Sequence, residues 1–364
     1  MILHLYFARK YLSIFAMILG GFTVFIWLVE LLEHIRRFDA GQLGFWQLAY
    51  LSALHLPEVL YQVLTLVVLL ATVTMFITLA RTSELVITRA TGRSALQSLL
   101  SPALTAFVLG CIVVAVANPL VAASSKLYER EVNRQRGSER VISVSKEGLW
   151  LRQGVGEEQT AIRAARTNLD GTVLFETVFH AFGRDGRPLY RINAEEARLT
   201  RGGWALTRAK IWDLAGEDNP EAAAQVLDSY LVPSDLTPEQ IRDSFGTPSS
   251  ISIWALPAFI QSLEAAGFSA RNHIVWFQAE LARPLSFVAM VFIGAVFTLR
   301  HTRFGRTGLM VLLAVLSGFL VYFIANLAQL MGQSGQVPVG WAVWSPSIAA
   351  ICLAISALLH FEDG

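Results

Sequence analysis

Charged residues are scarce in this sequence, and lysine is especially rare. Asp, Glu, Lys and Arg make up 16% of the 364 residues, whereas 54% are hydrophobic, and the mean hydropathy is +0.49. Soluble domains average roughly 25% charged residues, so the composition indicates a membrane protein. The formal net charge of +1 indicates no particular partner. Arginine supplies most of the positive charge, because the only lysines are Lys10, Lys126, Lys146 and Lys210.

Short motifs typical of enzymes are missing as well. No lysine follows a glycine or precedes a serine or threonine, so the chain has no Walker A loop that would bind ATP. His-Glu-x-x-His, Gly-x-Ser-x-Gly and paired-cysteine patterns are also absent. The two cysteines, Cys111 and Cys352, lie in apolar runs and indicate neither a metal site nor an exposed disulfide. We therefore expect no catalytic residue, no metal and no cofactor in this chain.

Long apolar stretches are what the sequence has instead. A membrane-spanning helix needs roughly 20 mostly apolar residues. The first stretch ends with Glu30, Glu33 and His34 rather than a small-residue cleavage site, so we expect it to be retained. Six stretches meet the length requirement, at about 11–33, 55–80, 99–121, 276–299, 307–331 and 340–360.

The positive charges predict how these spans are oriented. Positively charged loops favour the cytoplasmic side. With six spans, the clusters before span one, between spans two and three, and between spans four and five fall on one side. Both termini are therefore expected in the cytoplasm. Arg36 and Arg37 lie on the outer side, against this trend.

A region of different composition, about 140–247, separates spans three and four. Alternating apolar and polar residues at 148–152, 159–163, 172–180 and 204–212 predict β-strands. Many short strands in about 100 residues are typical of a sandwich or jelly roll. We expect an α-helical membrane protein with six spans and an inserted periplasmic all-β, jellyroll-like domain. Its parts are 1–139, 140–247 and 248–364, the last beginning with an amphipathic interfacial helix from Ser252 to Ala266.

The segment from Arg81 to Ser98, between spans two and three, carries charges at Arg81, Glu84, Arg89 and Arg93. Thr82 or Ser83 is suited to capping a helix here, and Gly92 to ending it. The pattern predicts a short amphipathic helix at the cytoplasmic surface. This is where an ABC-type permease contacts its ATPase, although an ordinary intracellular loop is an equally simple interpretation.

The whole arrangement resembles the YjgP/YjgQ family, the LptF and LptG permease halves of the lipopolysaccharide export ABC transporter. Thr82 to Gly92, and within it Ser83-Glu-Leu-Val86, is the most specific similarity. Glu147-Gly-Leu-Trp150 looks like the entry into the family's β-domain. The stretch from Pro257 to Ser286 is more similar to the LptG branch than to the LptF branch.

The resemblance implies a heterodimer with LptF, two copies of the ATPase LptB, and a further transmembrane helix from LptC. ATP and Mg²⁺ would be bound by the ATPase, and no nucleic acid is involved. Such a complex lies in the bacterial inner membrane. It extracts lipopolysaccharide and passes it to a periplasmic bridge of β-jellyroll domains.

The resemblance also implies roles for charged residues. The ATPase-coupling positions are Ser83, Glu84, Leu85, Arg89 and Gly92, with Glu84 meeting LptB. The lipopolysaccharide headgroup positions are Arg36, Arg37, Lys126 and Arg130. Arginine suits phosphate because it binds bidentately, but headgroup snorkelling explains Arg36 and Arg37 equally well. Another basic position of the family falls on Glu30, which reverses the charge.

Apolar and aromatic residues are candidates for the lipid path. Phe22, Phe25 and Leu28 would line an acyl-chain cavity, although packing or lipid contact would also explain them. The β-domain interior would be lined by Trp150, Phe175, Phe179 and Trp204, which could equally be plain core residues.

Two other functions stay open at this stage. One is an ABC-type mechanotransmission subunit, which moves a periplasmic domain without conducting lipid. The other is a membrane-bound enzyme, for which Glu30, Glu33 and Glu280 are the polar candidates near membrane depth.

Overall fold

A computed structural model describes residues 2–37, 44–84, 94–136, 142–145, 148–155, 158–168, 171–183, 186–215, 219–221, 223–234, 236–237, 241, 247–265, 268–299 and 307–362. The chain divides into two units. The helical unit comprises Met1–Glu131, Ser249–Trp254 and Ile274–Gly364. The strand unit comprises Val132–Pro248 and Ala255–His273.

Long helices build the helical unit. A π-helical turn, Val113–Ala117, joins α3 to α4 without a break. Six segments are long and apolar enough to cross a membrane, formed by α1, α2, α3 with α4, α6, α7 and α8, so the six predicted spans are confirmed. The helices are α1 (Ile2–Arg37), α2 (Phe45–Arg81), α3 (Ala95–Ile112), α4 (Asn118–Arg136), α5 (Leu256–Ala265), α6 (Arg271–Thr298), α7 (Thr307–Gln333) and α8 (Val339–Glu362). Of these, α5 belongs to the strand unit.

Burial differs strongly between these helices. In the most apolar stretch of 18 residues in each helix, 61% of the residues are buried in α2 and in α6, but only 11% in α1 and in α7. Helices α2 and α6 therefore form the centre of the unit. Gly110 of α3 packs against Pro284 of α6 so closely that an added Cβ would lie 2.6 Å from the proline Cα. Helices α1 and α7 turn most of their apolar surface outward.

Seven antiparallel strands form one sheet in sequential order. The predicted alternating segments correspond to β2, β3, β4 and β6. The inserted β-domain expected from the sequence is therefore confirmed. The strands are β1 (Ile142–Ser145), β2 (Gly148–Val155), β3 (Glu158–Thr167), β4 (Val173–Phe182), β5 (Pro188–Thr200), β6 (Gly203–Asp213) and β7 (Gln225–Pro233).

The sheet curls until its two ends meet. In a flat sheet, strands four places apart would be separated by about 19 Å, from a spacing of about 4.8 Å per strand. Yet Trp204 Nε1 on β6 donates a hydrogen bond to Gln153 Oε1 on β2, at 3.3 Å. The hydroxyl of Ser234 donates to the same oxygen at 2.6 Å, and Gln153 Nε2 donates to the carbonyl of Pro233 at 3.1 Å. Gln153 thus joins β2 to β6 and to the end of β7 across the curl.

Two residues with left-handed backbone interrupt the alternation of faces. Glu176 on β4 has a φ of 53° and Arg208 on β6 a φ of 52°, which is uncommon for residues other than glycine. Around Glu176, Leu174 and Thr177 both turn to the buried side, although they are three positions apart, a spacing that places residues of a regular strand on opposite faces. The faces of the strand therefore exchange at this point.

Candidate functional site

The segment that contains Glu84 begins where α2 ends. Ser83 adopts a left-handed backbone with a φ of 58°, two residues after Arg81, the last residue of the helix. Glu84 then meets the start of α1. Lys10 Nζ lies 2.9 Å from Glu84 Oε1, and the hydroxyls of Tyr6 and Thr82 donate to the same carboxylate at 2.8 Å. The predicted coupling glutamate is therefore held by the first span.

These contacts alter the acidity of Glu84. Partial burial tends to raise its pKa, but hydrogen bonds from Lys10, Tyr6 and Thr82, together with the charge of Lys10, outweigh that effect. The pKa is consequently lowered from its ordinary value of 4.5. The carboxylate stays charged near neutral pH, as an ion-pairing role requires.

The other predicted coupling residues are only partly described. Leu85, Arg89 and Gly92 lie outside the described residues. Beyond this gap, Ser94 caps α3 by accepting a hydrogen bond from the backbone of Gln97 at 3.2 Å. The coupling function of this segment stays a prediction.

The predicted headgroup residues lie on two helices of the helical unit. Arg36 and Arg37 are exposed in the last turn of α1. Lys126 and Arg130 are exposed on α4. Four exposed cations thus occupy two helices of one unit, and contact with a lipid headgroup stays a prediction.

A polar cluster that sequence reasoning missed joins the same two helices. His34 Nδ1 lies 2.7 Å from the carbonyl oxygen of Glu30, and because a carbonyl only accepts, this nitrogen carries the proton. His34 Nε2 lies 3.0 Å from the hydroxyl of Tyr128 on α4. Ser52 of α2 adds a hydroxyl 3.3 Å from His34 Nδ1. The cluster ties α1 to α2 and α4 beside the exposed cations.

Glu30 is part of this cluster. Its Oε2 lies 2.7 Å from Nδ1 of His55 on α2, and the His55 ring stacks on Tyr128 with 4.6 Å between ring centroids. Glu30 thus pairs with His55 within the helical unit. The negative charge at this position, which is basic in the family, therefore has a structural role. The spacing of four residues between Glu30 and His34 was the only local signal for the contact.

A second polar group is buried among the spans. Glu280 on α6 is fully buried and accepts hydrogen bonds from Arg283, with Arg283 Nη2 2.7 Å from Glu280 Oε1. The hydroxyl of Tyr61 on α2 also donates to Glu280. The Arg283 guanidinium lies over the Tyr61 ring, 4.1 Å from its centroid. The triad links α2 to α6, and removing either charged member would leave an uncompensated buried charge, which is strongly destabilising.

The predicted acyl-chain residues differ in exposure. Phe25 is 65% exposed and Leu28 49%, whereas Phe22 packs partly against the apolar core of the unit. Phe25 and Leu28 therefore belong to a broad apolar surface of α1. Such a surface suits lipid or another helix.

The four aromatic residues predicted for the β-domain interior divide between the two faces of the sheet. Phe179 and Trp204 are fully buried. Trp150 is 37% exposed between the buried Leu149 and Leu151, and the Arg163 guanidinium lies 5.8 Å from its ring. The structure thus corrects the placement of Trp150, which faces outward.

Phe175 is also on the outer face. It pairs with Arg166 on β3 and Glu196 on β5, whereas the fully buried Leu174 precedes it. The left-handed residue Glu176 reverses the alternation between Phe175 and Phe179. A regular strand would have placed both on one face, which is why the sequence pattern misplaced Phe175.

The chain returns to the helical unit over Ser249–Trp254, before α5. Ser249 donates to Glu58 Oε1 at 2.8 Å. The backbone N–H of Ile253 donates to Asn118 Oδ1 at 2.8 Å, and the Trp254 indole donates to the carbonyl of Ala115 at 3.2 Å. The π-helical turn and Asn118, the residue that follows it, thus hold the segment Ser249–Trp254.

Comparisons with known proteins cover nearly the whole chain. A family model described as lipopolysaccharide export system permease LptF/LptG matches residues 5–360. The lipopolysaccharide export system permease protein LptG of Escherichia coli strain K12 is 24% identical over 257 residues, which is 68% of this chain and 67% of that protein. LptG of Haemophilus influenzae is 21% identical over 324 residues, 85% of this chain and 84% of that protein.

Proposed function

This chain belongs to the LptF/LptG family of lipopolysaccharide export system permeases, also called YjgP/YjgQ, and we propose that it is the LptG-type half of an ATP-driven transporter. In this proposal the transporter extracts lipopolysaccharide from the inner membrane and passes it to a periplasmic bridge. The other half is LptF, two copies of LptB bind and hydrolyse ATP with Mg²⁺, and LptC contributes one helix. The termini are cytoplasmic and the strand unit is periplasmic.

The apolar face of α1 is the observation that carries this proposal. Phe25 and Leu28 are exposed on a span that is little buried within its own unit. Arg36 and Arg37 are exposed in the last turn of the same helix. An apolar face that ends in cations matches a lipid with acyl chains and an anionic headgroup.

The polar cluster gives this surface a fixed geometry. Because His34 contacts Tyr128 and Glu30 contacts His55, the end of α1 is held against α2 and α4. The cations of α1 and α4 are then held in a stable relation to each other. Pre-organised cations bind an anionic headgroup at a lower entropic cost than mobile ones.

Photocrosslinking in intact membranes tests the proposal. A photoreactive amino acid at Phe25 is expected to capture lipopolysaccharide. The matched control is Phe15 on the same helix, which is 6% exposed and should label protein. If Phe25 labels only protein or phospholipid while ATP is hydrolysed, the chain transmits movement without conducting the lipid.

A further inference from the structure

The carboxylate of Glu30 depends on histidine for a positively charged partner. Its Oε2 lies 2.7 Å from Nδ1 of His55 on α2 and 3.7 Å from Nδ1 of His34 on its own helix. Among the residues that the structure describes, no lysine or arginine forms an ion pair with it. Histidine is the side chain that ordinarily gains and loses its charge between about pH 5 and about pH 8. The positive charge opposite Glu30 is therefore sensitive to pH.

His55 is placed so that its charge can change while its ring stays oriented. The ring stacks on Tyr128 of α4, with 4.6 Å between the ring centroids and 24° between the ring planes. The His55 side chain is 28% exposed, so it can exchange a proton with water, whereas that of Glu30 is 16% exposed. Attraction between the two charges exists only while the imidazole is protonated. It is present in acid and is lost as the pH rises through the range in which the imidazole titrates.

His34 makes contacts that need no charge. Its Nδ1 donates to the backbone carbonyl of Glu30, and its Nε2 accepts from the hydroxyl of Tyr128. Both ring nitrogens are thus occupied in the neutral imidazole, and the side chain is only 3% exposed. These hydrogen bonds therefore persist when the charge of His55 is lost.

The other ionisable side chains around the pair do not ordinarily titrate in this range. Carboxylates change charge near pH 4, and lysine and arginine above about pH 10. Glu58, one turn beyond His55 on α2, accepts hydrogen bonds from the hydroxyls of Ser125 and Ser249, at 2.7 and 2.8 Å. The charged residues within one turn of Glu30, His34 or Tyr128 are Glu33, Arg36, Arg37, Lys126, Glu129, Arg130 and Glu131.

The end of α1 has few other contacts that would hold it. From Val29 to Arg37, only Leu31 and His34 are buried. Glu30 lies between the exposed apolar residues of α1 and the exposed cations of its last turn. A weaker contact at Glu30 would therefore loosen this end of the helix without detaching it from α2 and α4.

We propose that Glu30 and His55 form a pH-sensitive contact, which holds the last turns of α1 against α2 more tightly in acid than in alkali. The pH would then set how rigidly the helix presents its apolar face and its two terminal arginines. The inference goes beyond the proposed function, because the contact depends neither on the transported lipid nor on the ATPase.

The mobility of a spin label on α1 tests this proposal in the purified complex. Cys111→Ala and Cys352→Ala first remove the native thiols. The label is then attached at Leu32→Cys, because Leu32 is 63% exposed two residues beyond Glu30. The matched control is a label at Leu5→Cys, since Leu5 is 74% exposed at the opposite end of the same helix. Spectra are compared between about pH 5.5 and about pH 8.5.

The ratio of mobile to immobile label at position 32 should rise about fivefold in alkali, which corresponds to an ion pair of about 1 kcal/mol. The label at position 5 should not respond. His55→Arg keeps a positive charge and can stack on Tyr128, so its label should stay immobile at both pH values. His55→Gln should be mobile at both.

Glu30→Gln provides a second decision that does not depend on how well an arginine fits at position 55. It removes the negative charge and keeps the shape of the side chain, so the response to pH should disappear. An unchanged spectrum of the wild type between the two pH values would overturn the proposal. A response that persists in His55→Arg or in Glu30→Gln would overturn it as well, since another group would then be titrating.

Discussion

Glu84 and Lys10, 74 residues apart in sequence, form an ion pair of 2.9 Å between Oε1 and Nζ. The pair joins the end of α2 to the first turns of α1. Glu84 is the residue that family resemblance assigns to ATPase coupling, and α1 carries the exposed apolar face. We therefore expect a movement of the segment around Glu84 to reach α1 through Lys10.

Substitutions in this pair should separate docking from transmission. Glu84→Ala is expected to weaken copurification of LptB and to lower lipopolysaccharide export. Lys10→Met is expected to lower export while LptB still copurifies. A partly exposed ion pair contributes only about 0–1 kcal/mol to stability, so both variants should fold.

Arg9→Met is the matched control, because Arg9 is exposed beside Lys10. Its export should be normal. Normal export together with full LptB recovery in Glu84→Ala would show that the coupling assignment is wrong.

Charge reversal at the end of α1 should weaken headgroup contact. Arg36→Glu combined with Arg37→Glu is expected to reduce lipopolysaccharide crosslinking at Phe25, since each hydrogen bond to a charged group contributes about 1.5–3 kcal/mol. Arg36→Lys with Arg37→Lys keeps the charge but loses the bidentate geometry, so its effect should be smaller. Unchanged crosslinking at low salt would favour snorkelling instead.

Lipid should enter the strand unit only when ATP is supplied. A photocrosslinker at Phe179, which is fully buried on the inner face, is expected to capture lipopolysaccharide in an ATP-dependent manner. Val178, adjacent on β4 and partly exposed, is the control for the opposite face. If inner-face positions label only protein, the sheet is a scaffold or a docking platform for LptC.

We expect Gly203 to be required for the pairing of β6 with β7, the last strand of the sheet. Its φ of +142° is unfavourable for other residues, and an added Cβ would lie 2.1 Å from the carbonyl oxygen of Val232 on β7. Gly203→Ala is therefore expected to lower stability by more than about 1 kcal/mol. A Cβ at the neighbouring Gly202 meets no atom within 4 Å. Equal melting temperatures of the two alanine variants would contradict the expectation.

His180 should make stability depend on pH. Burial lowers its pKa below the ordinary value of 6.5, and the charge of Arg191 lowers it further. The unfolded chain therefore binds the proton more tightly. The contribution of neutral His180 to the free energy of unfolding is complete above about pH 6.5. This contribution is lost as the pH falls towards the lower pKa of the folded state.

Thermal unfolding of the purified chain measures this effect. Between about pH 8 and about pH 5, the melting temperature of the wild type should fall more than that of His180→Gln. Parallel curves for the two proteins would exclude a contribution from His180.

The spans and most strands could be predicted because they have local signals. A run of about 20 apolar residues indicates a membrane span without knowledge of its neighbours. Alternation of apolar and polar residues likewise indicates a strand such as β4. This alternation does not show which aromatic residues face inward, because Glu176 reverses the faces between Phe175 and Phe179.

The polar contacts were beyond sequence reasoning for a different reason. His34 and Tyr128 are 94 residues apart, and Tyr61 and Glu280 are 219 apart. Such pairs depend on how helices pack, and no alternation or spacing along the chain reports helix packing. The family resemblance indicated the positions of the candidate cations, but not the polar cluster beside them.

The π-helical turn Val113–Ala117 has a consequence for insertions and deletions. Each residue of an α-helix turns the chain by about 100°, and a π-helical turn commonly represents one residue more than a regular helix needs. Deleting one residue from the turn would therefore restore a regular α-helix and leave Asn118 and Tyr128 close to their present orientation, so that their contacts with Ile253 and His34 would persist. A one-residue deletion in the regular part of α4, between Asn118 and Tyr128, would instead turn Tyr128 away from His34 by about 100°. The turn is thus the place in this span where we expect the loss of one residue to be least harmful.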